Sequence, residues 1–161
     1  MYHLVGSLMI TPDHPIVSAE SDNSRNTQGV DSNSILTVHN QERAEFGVTT
    51  LTWSNTHTAD ALTWADHLVT LQVIDGSNAH DPNPNSNTGE NFGVRRHNVM
   101  NHATPDQMQQ MWLREKNKHD GTLPPRSGHY GQMVSPVTTE VGCATTSTLG
   151  GPFAQSGGTD G

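Results

Sequence analysis

The strongest constraint on what this 161-residue chain can fold into is a pair of neighbouring apolar stretches near its end. The first reads Ser127-Gly128-His129-Tyr130-Gly131-Gln132-Met133-Val134, and the second Glu140-Val141-Gly142-Cys143-Ala144. The first alternates as a strand does, with His129, Gly131, Met133 and Ser135 on one side and Tyr130, Gln132 and Val134 on the other. Pro136 and the polar residues after it mark a turn, and residues 141–146 are expected to return as a second strand. Such a hairpin has to bury one face, so it fixes where the core sits. His129 is open to two readings there, a site residue or a half-buried packing residue.

The clearest helix start lies upstream. Thr104 is expected to cap it, with Pro105 at the first helical position and Gln107 completing a capping box. Met108, Met111, Trp112 and Glu115 then recur at i, i+3, i+4 and i+7, which makes one stripe. Glu115 therefore falls at the end of an apolar face, where a carboxylate needs a cation, a metal or hydrogen-bond donors. Two helices precede this one. Ser34 is expected to cap a helix over residues 35–46 that Gly47 stops. Ile35, Val38, Glu42 and Phe46 share its face, and His39 beside them reads as a structural histidine. A second helix is expected over residues 58–73, with Ala61, Trp64, Ala65, Leu68 and Leu71 as its core stripe. His57 and His67 fall off that stripe and are expected in solvent. Residues 75–88 are rich in Asp, Asn, Pro and Ser. They read as a long polar loop carrying Ala79-His80-Asp81, of the kind that more often serves function than not.

An apolar fraction of 31% and an aromatic fraction of 5% are low, so a small core and long loops are expected. Sixteen Asp and Glu against eight Lys and Arg give a net charge of -8. That balance argues against nucleic acid or an anionic membrane surface as partner, since both attract basic patches. No run approaches eighteen apolar residues, so no membrane insertion is expected. Residues 4–10 are too short for a signal peptide and lack its basic flank and cleavage chemistry. The lone cysteine, Cys143, excludes an intrachain disulfide and is expected to be a small buried hydrophobe. The chain thus divides into an N-terminal arm and polar linker at 1–33, a domain at 34–149 and a Gly/Ser-rich tail at 150–161. Within the arm, residues 1–17 allow two readings. They are disordered, or residues 4–10 form a strand that docks on the sheet edge of a neighbouring copy.

Gly128-His129-Tyr130 with Gln132 and Val134, followed by Val141-Gly142-Cys143-Ala144, resembles the signature hairpin of the CAP superfamily. This family groups cysteine-rich secretory, antigen-five and pathogenesis-related proteins with microbial relatives. Three further matches stand in the family's order. Val38-His39-Asn40-Gln41-Glu42-Arg43, with Gly47, Val48, Leu51 and Trp53 after it, resembles the opening helix and its exit. Gly89-Glu90-Asn91-Phe92 resembles the Gly-Glu-Asn motif, and Trp112-Leu113-Arg114-Glu115 the Trp-x-x-Glu helix. The four together cover residues 35–148. Animal and plant members usually carry disulfides, so a single cysteine points to the microbial branch.

The resemblance implies an α/β (α+β) fold, a three-layer α-β-α sandwich around a central, mostly antiparallel sheet. It implies a cleft tetrad on His80, Glu90, Glu115 and His129, with His97 and His102 as alternatives for the less secure His80. Asn91, Tyr130 and Gln132 are expected to line the same cleft. Two imidazoles and two carboxylates suit a divalent metal, zinc foremost, and they equally suit His-carboxylate pairing that holds helices to sheet. Two departures stand out: Gly131 where the family prefers a hydroxyl residue, and Ser135 where it has tryptophan. The leading expectation is a secreted binding protein whose cleft holds a divalent metal or small ligand. One alternative is a structural subunit of an extracellular assembly, joined to copies of itself through residues 1–17. A metal-dependent hydrolase is the other, and no His-Glu-x-x-His pair or Gly-x-Ser-x-Gly elbow supports it.

Overall fold

The computed structural model of the chain describes residues 2–10, 30–71, 74–75, 77–82, 88–97, 105–118 and 128–146, with backbone alone at 2–10 and 95–97. In chain order the elements are β1 (Tyr2–Ile10), α1 (Ser32–Glu45), β2 (Thr52–Trp53), α2 (Asn55–Leu68) and β3 (Gly89–His97). They are followed by α3 (Pro105–Leu113), a 3₁₀ turn (Arg114–Lys118), α4 (Gly128–Met133) and β4 (Glu140–Thr146). The fold is mixed α+β. Its four described strands run in the order β2-β4-β1-β3. β1 is antiparallel to both of its neighbours, and β2 runs parallel to β4.

Asp31, three residues ahead of the expected cap, starts α1; its side chain accepts the Asn33 N–H at 2.9 Å. Ser34 instead lies inside the helix and donates its hydroxyl to Asp106 of α3. Gly47 ends the helix as expected, at φ 66° in the left-handed region. Ser54 caps α2 by accepting the His57 N–H, so this helix begins earlier than residue 58 and stops at Leu68 rather than reaching 73. Pro105 opens α3 as expected, while Thr104 lies outside the described residues.

The expected strand at residues 127–134 is a correction. Residues 128–133 form helix α4, and Tyr130, Met133 and Val134, at i, i+3 and i+4, enter one cluster with Met108 and Trp112. An apolar run of this length satisfies both periods, and packing between α3 and α1 selects the helical one. The second expected strand, β4, forms as read, and it is buried on both faces. Val141 and Cys143 pack with Leu51 and, more loosely, with Leu36 and Trp53. Gly142 faces α2, where a Cβ would run into the backbone of His57 and Thr58. Glycine here sets how closely helix and strand approach. It also explains a second correction: His57, expected in solvent, is buried under that contact, with Nε2 3.6 Å from Glu140. His67 is exposed and stacks on Trp64 at 4.8 Å. Cys143 is buried as expected, and burial pushes its thiol up to about 12.

β1 departs furthest from expectation. Residues 4–10 form a strand, as one of the two readings of the arm expects, and not a free arm. They lie inside this chain's own sheet, with β4 on one side and β3 on the other.

Candidate functional site

The site is assembled on a scaffold that begins in α1. Ile35, His39 and Arg43 recur every fourth residue and are the buried residues of the helix. Arg43 has no access to solvent, and its donors meet backbone carbonyls: Nε to Thr49 at 2.7 Å, Nη1 to Ser135 at 2.8 Å and Met133 at 3.2 Å, and Nη2 to Thr138 at 2.7 Å. Burial lowers its pKa to about 10. The guanidinium thus gathers the end of α4 and the turn after it, satisfying carbonyls that a short helix leaves open. Asn40 does similar work on the exit from α1, exchanging hydrogen bonds with both the N–H and the carbonyl of Leu51. Glu42 accepts from the Tyr130 hydroxyl at 2.9 Å and from Lys116 at 2.7 Å, which ties α4 and the 3₁₀ turn to α1.

Glu115 and His129 meet on this scaffold. Gly128 opens α4 at φ 79°, and a Cβ there would stand 2.6 Å from Glu115 Oε2. Only glycine allows both the turn and the carboxylate. Glu115 Oε1 lies 2.7 Å from His129 Nδ1, and the Tyr130 N–H donates to Oε2 at 3.2 Å. Partial burial pushes the Glu115 pKa up, but these hydrogen bonds outweigh it and hold the carboxyl below its ordinary range. The Trp112 ring stacks on His129 nearly parallel, at 5.9 Å and 14°. With Nδ1 committed to Glu115, Nε2 is the imidazole atom left to face a ligand.

The second pair comes from the loop and β3. Trp64 Nε1–H donates to the Ala79 carbonyl at 3.0 Å, and the Asn78 and Ala79 N–H groups close a turn on the Asp75 carbonyl. This presents His80, whose Nδ1 lies 3.4 Å from Glu90 Oε1. The two side chains differ sharply: His80 is 56% exposed and Glu90 only 7%. Burial raises the Glu90 pKa against the opposing pull of the Asp81 N–H, 3.1 Å from Oε2, and of His80. Oε1 makes no hydrogen bond of good geometry. The pairs are joined through β3 and α4. Asn91 Nδ2–H donates to the His129 carbonyl at 2.9 Å, and the Gln132 amide lies against Gly89 where a Cβ would not fit.

The structure therefore brings His80, Glu90, Glu115 and His129 into two His-carboxylate pairs, on elements linked by the Asn91 and Gln132 contacts. Among the described residues, no group of three or more His, Cys, Asp or Glu side chains converges as a metal cluster. Tyr130, expected to line the cleft, points its ring into the core and its hydroxyl to Glu42. His102 and the side chain of His97 lie outside the described residues. The sequence reading missed Arg43, although Ile35, His39 and Arg43 at four-residue spacing signal a second buried stripe. It also missed the roles of Gly128, which admits the carboxylate, and of Trp64, which holds the His80 loop.

Known proteins resemble this chain along most of its length. The chain is 26% identical over 151 residues to fruiting body protein SC14 of Schizophyllum commune, covering 91% of this chain and 64% of that protein. Fruiting body protein SC7 of the same organism is 30% identical over 116 residues, covering 70% and 49%. Pathogenesis-related protein 1B of Nicotiana tabacum is 28% identical over 160 residues, covering 96% and 84%. The chain thus spans less than two thirds of either fruiting-body relative. No solved structure matches it. The model of the CAP family, described as the cysteine-rich secretory protein family, matches residues 36–153. The matched stretch covers well over half of the chain: the chain belongs to the CAP family.

Proposed function

We propose that this protein is a secreted CAP-domain binding protein whose His80, Glu90, Glu115 and His129 hold a divalent metal, zinc first, or a small cationic ligand. The observation that carries the reading is Glu90, a carboxylate almost shut off from water whose Oε1 has, among the described residues, only a long contact to an exposed imidazole. A buried carboxylate of this kind is costly unless a cation compensates it. The donor set fits a divalent ion in kind, two imidazoles and two carboxylates, but the four stand as two separate pairs that an ion would have to draw together. A bound metal would supply positive charge and a Lewis-acidic centre. The chain's residues do the rest: Glu115 fixes the His129 tautomer, Trp112 fixes its ring plane, and the Asp81 N–H orients Glu90. His80, the most exposed of the four, is the group free to swing toward an incoming ion. The family's description as secretory supports a place outside the cell.

The reading is tested by adding one equivalent of zinc to metal-free protein while following imidazole ¹⁵N shifts. The His80 and His129 ring nitrogens are expected to shift together and saturate together. Unchanged shifts for both would overturn metal binding at this site.

A further inference from the structure

Among the described residues β3 has one sheet neighbour, β1, and β4 meets β3 only through it. β1 pairs along its whole length with β3, from Tyr2↔His97 to Ile10↔Gly89, and with β4 from Val5↔Thr146 to Met9↔Gly142. Without β1, two strand edges would face each other across a gap about two strand spacings wide, roughly 9–10 Å, each with an unpaired ladder. The same strand backs the candidate site, because Met9 pairs with Glu90 and Leu8 with Asn91. Yet the family match begins only at residue 36. The strand that closes the sheet therefore lies outside the matched segment and is tethered to it only through residues 11–30. Those twenty residues are mostly polar, and fully extended they reach about 65–70 Å, far beyond the width of the sheet.

We propose that the gap between β3 and β4 is a strand-acceptor groove, and that two copies of this chain exchange residues 2–10 through it to form a strand-swapped dimer. In that dimer each Glu90-bearing strand is backed by the partner copy. The occupant is a second copy because β1 is the one described segment whose register matches both groove edges. The ladder bonds are the same whether the strand comes from its own chain or from a neighbour, so the two states differ only in linker and association entropy. A tether of this length holds its strand at an effective concentration on the order of millimolar, so exchange is favoured where the protein is concentrated or refolds crowded. The proposal is independent of what the cleft binds.

Leu8 lies directly opposite Cys143, and antiparallel partners have Cα atoms roughly 4.5–5.5 Å apart, within disulfide range. Full-length Leu8→Cys protein is refolded and oxidised at rising concentration, then run denatured without reductant. Strand exchange predicts a covalent dimer, its bond mapped by proteolysis to positions 8 and 143, whose share rises on the order of a hundredfold between roughly 1 and 100 µM by mass action. An intrachain disulfide at every concentration, or no disulfide between these positions at all, overturns the proposal. The unsubstituted chain provides the second readout. Light and ¹⁵N-labelled copies refolded together are expected to give mixed dimers in native mass spectrometry, and monomers alone would overturn it.

Discussion

His39 lies wholly inside the molecule with Nδ1–H donating to the Ile35 carbonyl at 2.9 Å, which leaves Nε2 as an acceptor facing Gln109. Burial pushes its pKa down to about 4 from an ordinary 6.5. The unfolded chain therefore takes up this proton before the folded one does, and the stability involved is intact above about pH 6.5. It is lost as pH falls from there toward 4, by an amount on the order of 3 kcal/mol. His39→Leu is expected to flatten urea-derived stability against pH over that window; a slope equal to the parent's would contradict the assignment. Glu90 works in the opposite sense. Burial raises its pKa, so its charge costs stability above the folded pKa, and the cost is relieved as pH falls through it. Glu90→Gln is expected to stabilise the metal-free protein by roughly 1 kcal/mol at neutral pH, as replacements of strained functional residues commonly do. Destabilisation of similar size would show the carboxylate to be structural.

Among the elements, α4 shows what periodicity can and cannot deliver. Its sequence places Tyr130, Met133 and Val134 apolar, and nothing within six residues separates a strand from a helical turn. The choice is made by Trp112 and Met108 on α3 and by the Arg43 side chain from α1, contacts far apart in sequence. Glu115 was legible in part: the heptad-like spacing from Met108 predicts a need for a partner, which His129 meets, but α3 ends at Leu113 and the carboxylate sits on the 3₁₀ turn, half-buried, and not on the helix face. That spacing also counted Met111 into the stripe, but the side chain is exposed. Trp112 closes the cluster, and Trp112→Ala is expected to cost about 3 kcal/mol in chemical denaturation and to loosen the His129 ring that stacks on it. A loss below about 0.5 kcal/mol would mean that this face is not core. The contact of α2 with β4 makes a separate prediction. Gly142→Ala places a methyl against the His57 and Thr58 backbone, and such overpacking is expected to cost about 2–3 kcal/mol or more. A melting temperature equal to the parent's would show that α2 does not seat there.

At the scale of the whole molecule, the sequence motifs located Glu90, Asn91, Glu115, His129 and Gln132 because each sits in a short local pattern. Local patterns could not place the strand that lies between β3 and β4. Residues 2–10 are apolar enough to be a strand anywhere, and their two partners lie about 90 and 140 positions away. His57 was misjudged for a related reason: it is off the apolar stripe of its own helix, yet the absent side chain at Gly142 lets β4 close over it. What the assembled molecule offers is two His-carboxylate pairs on elements linked through Asn91 and Gln132, one pair half-exposed and the other built on a buried carboxylate. The most direct test is calorimetric titration of zinc into metal-stripped protein, run beside His80→Ala and His129→Ala. The account predicts one ion per chain in the parent and its loss in both variants. A parent that takes up no zinc, or variants that bind as the parent does, would contradict it.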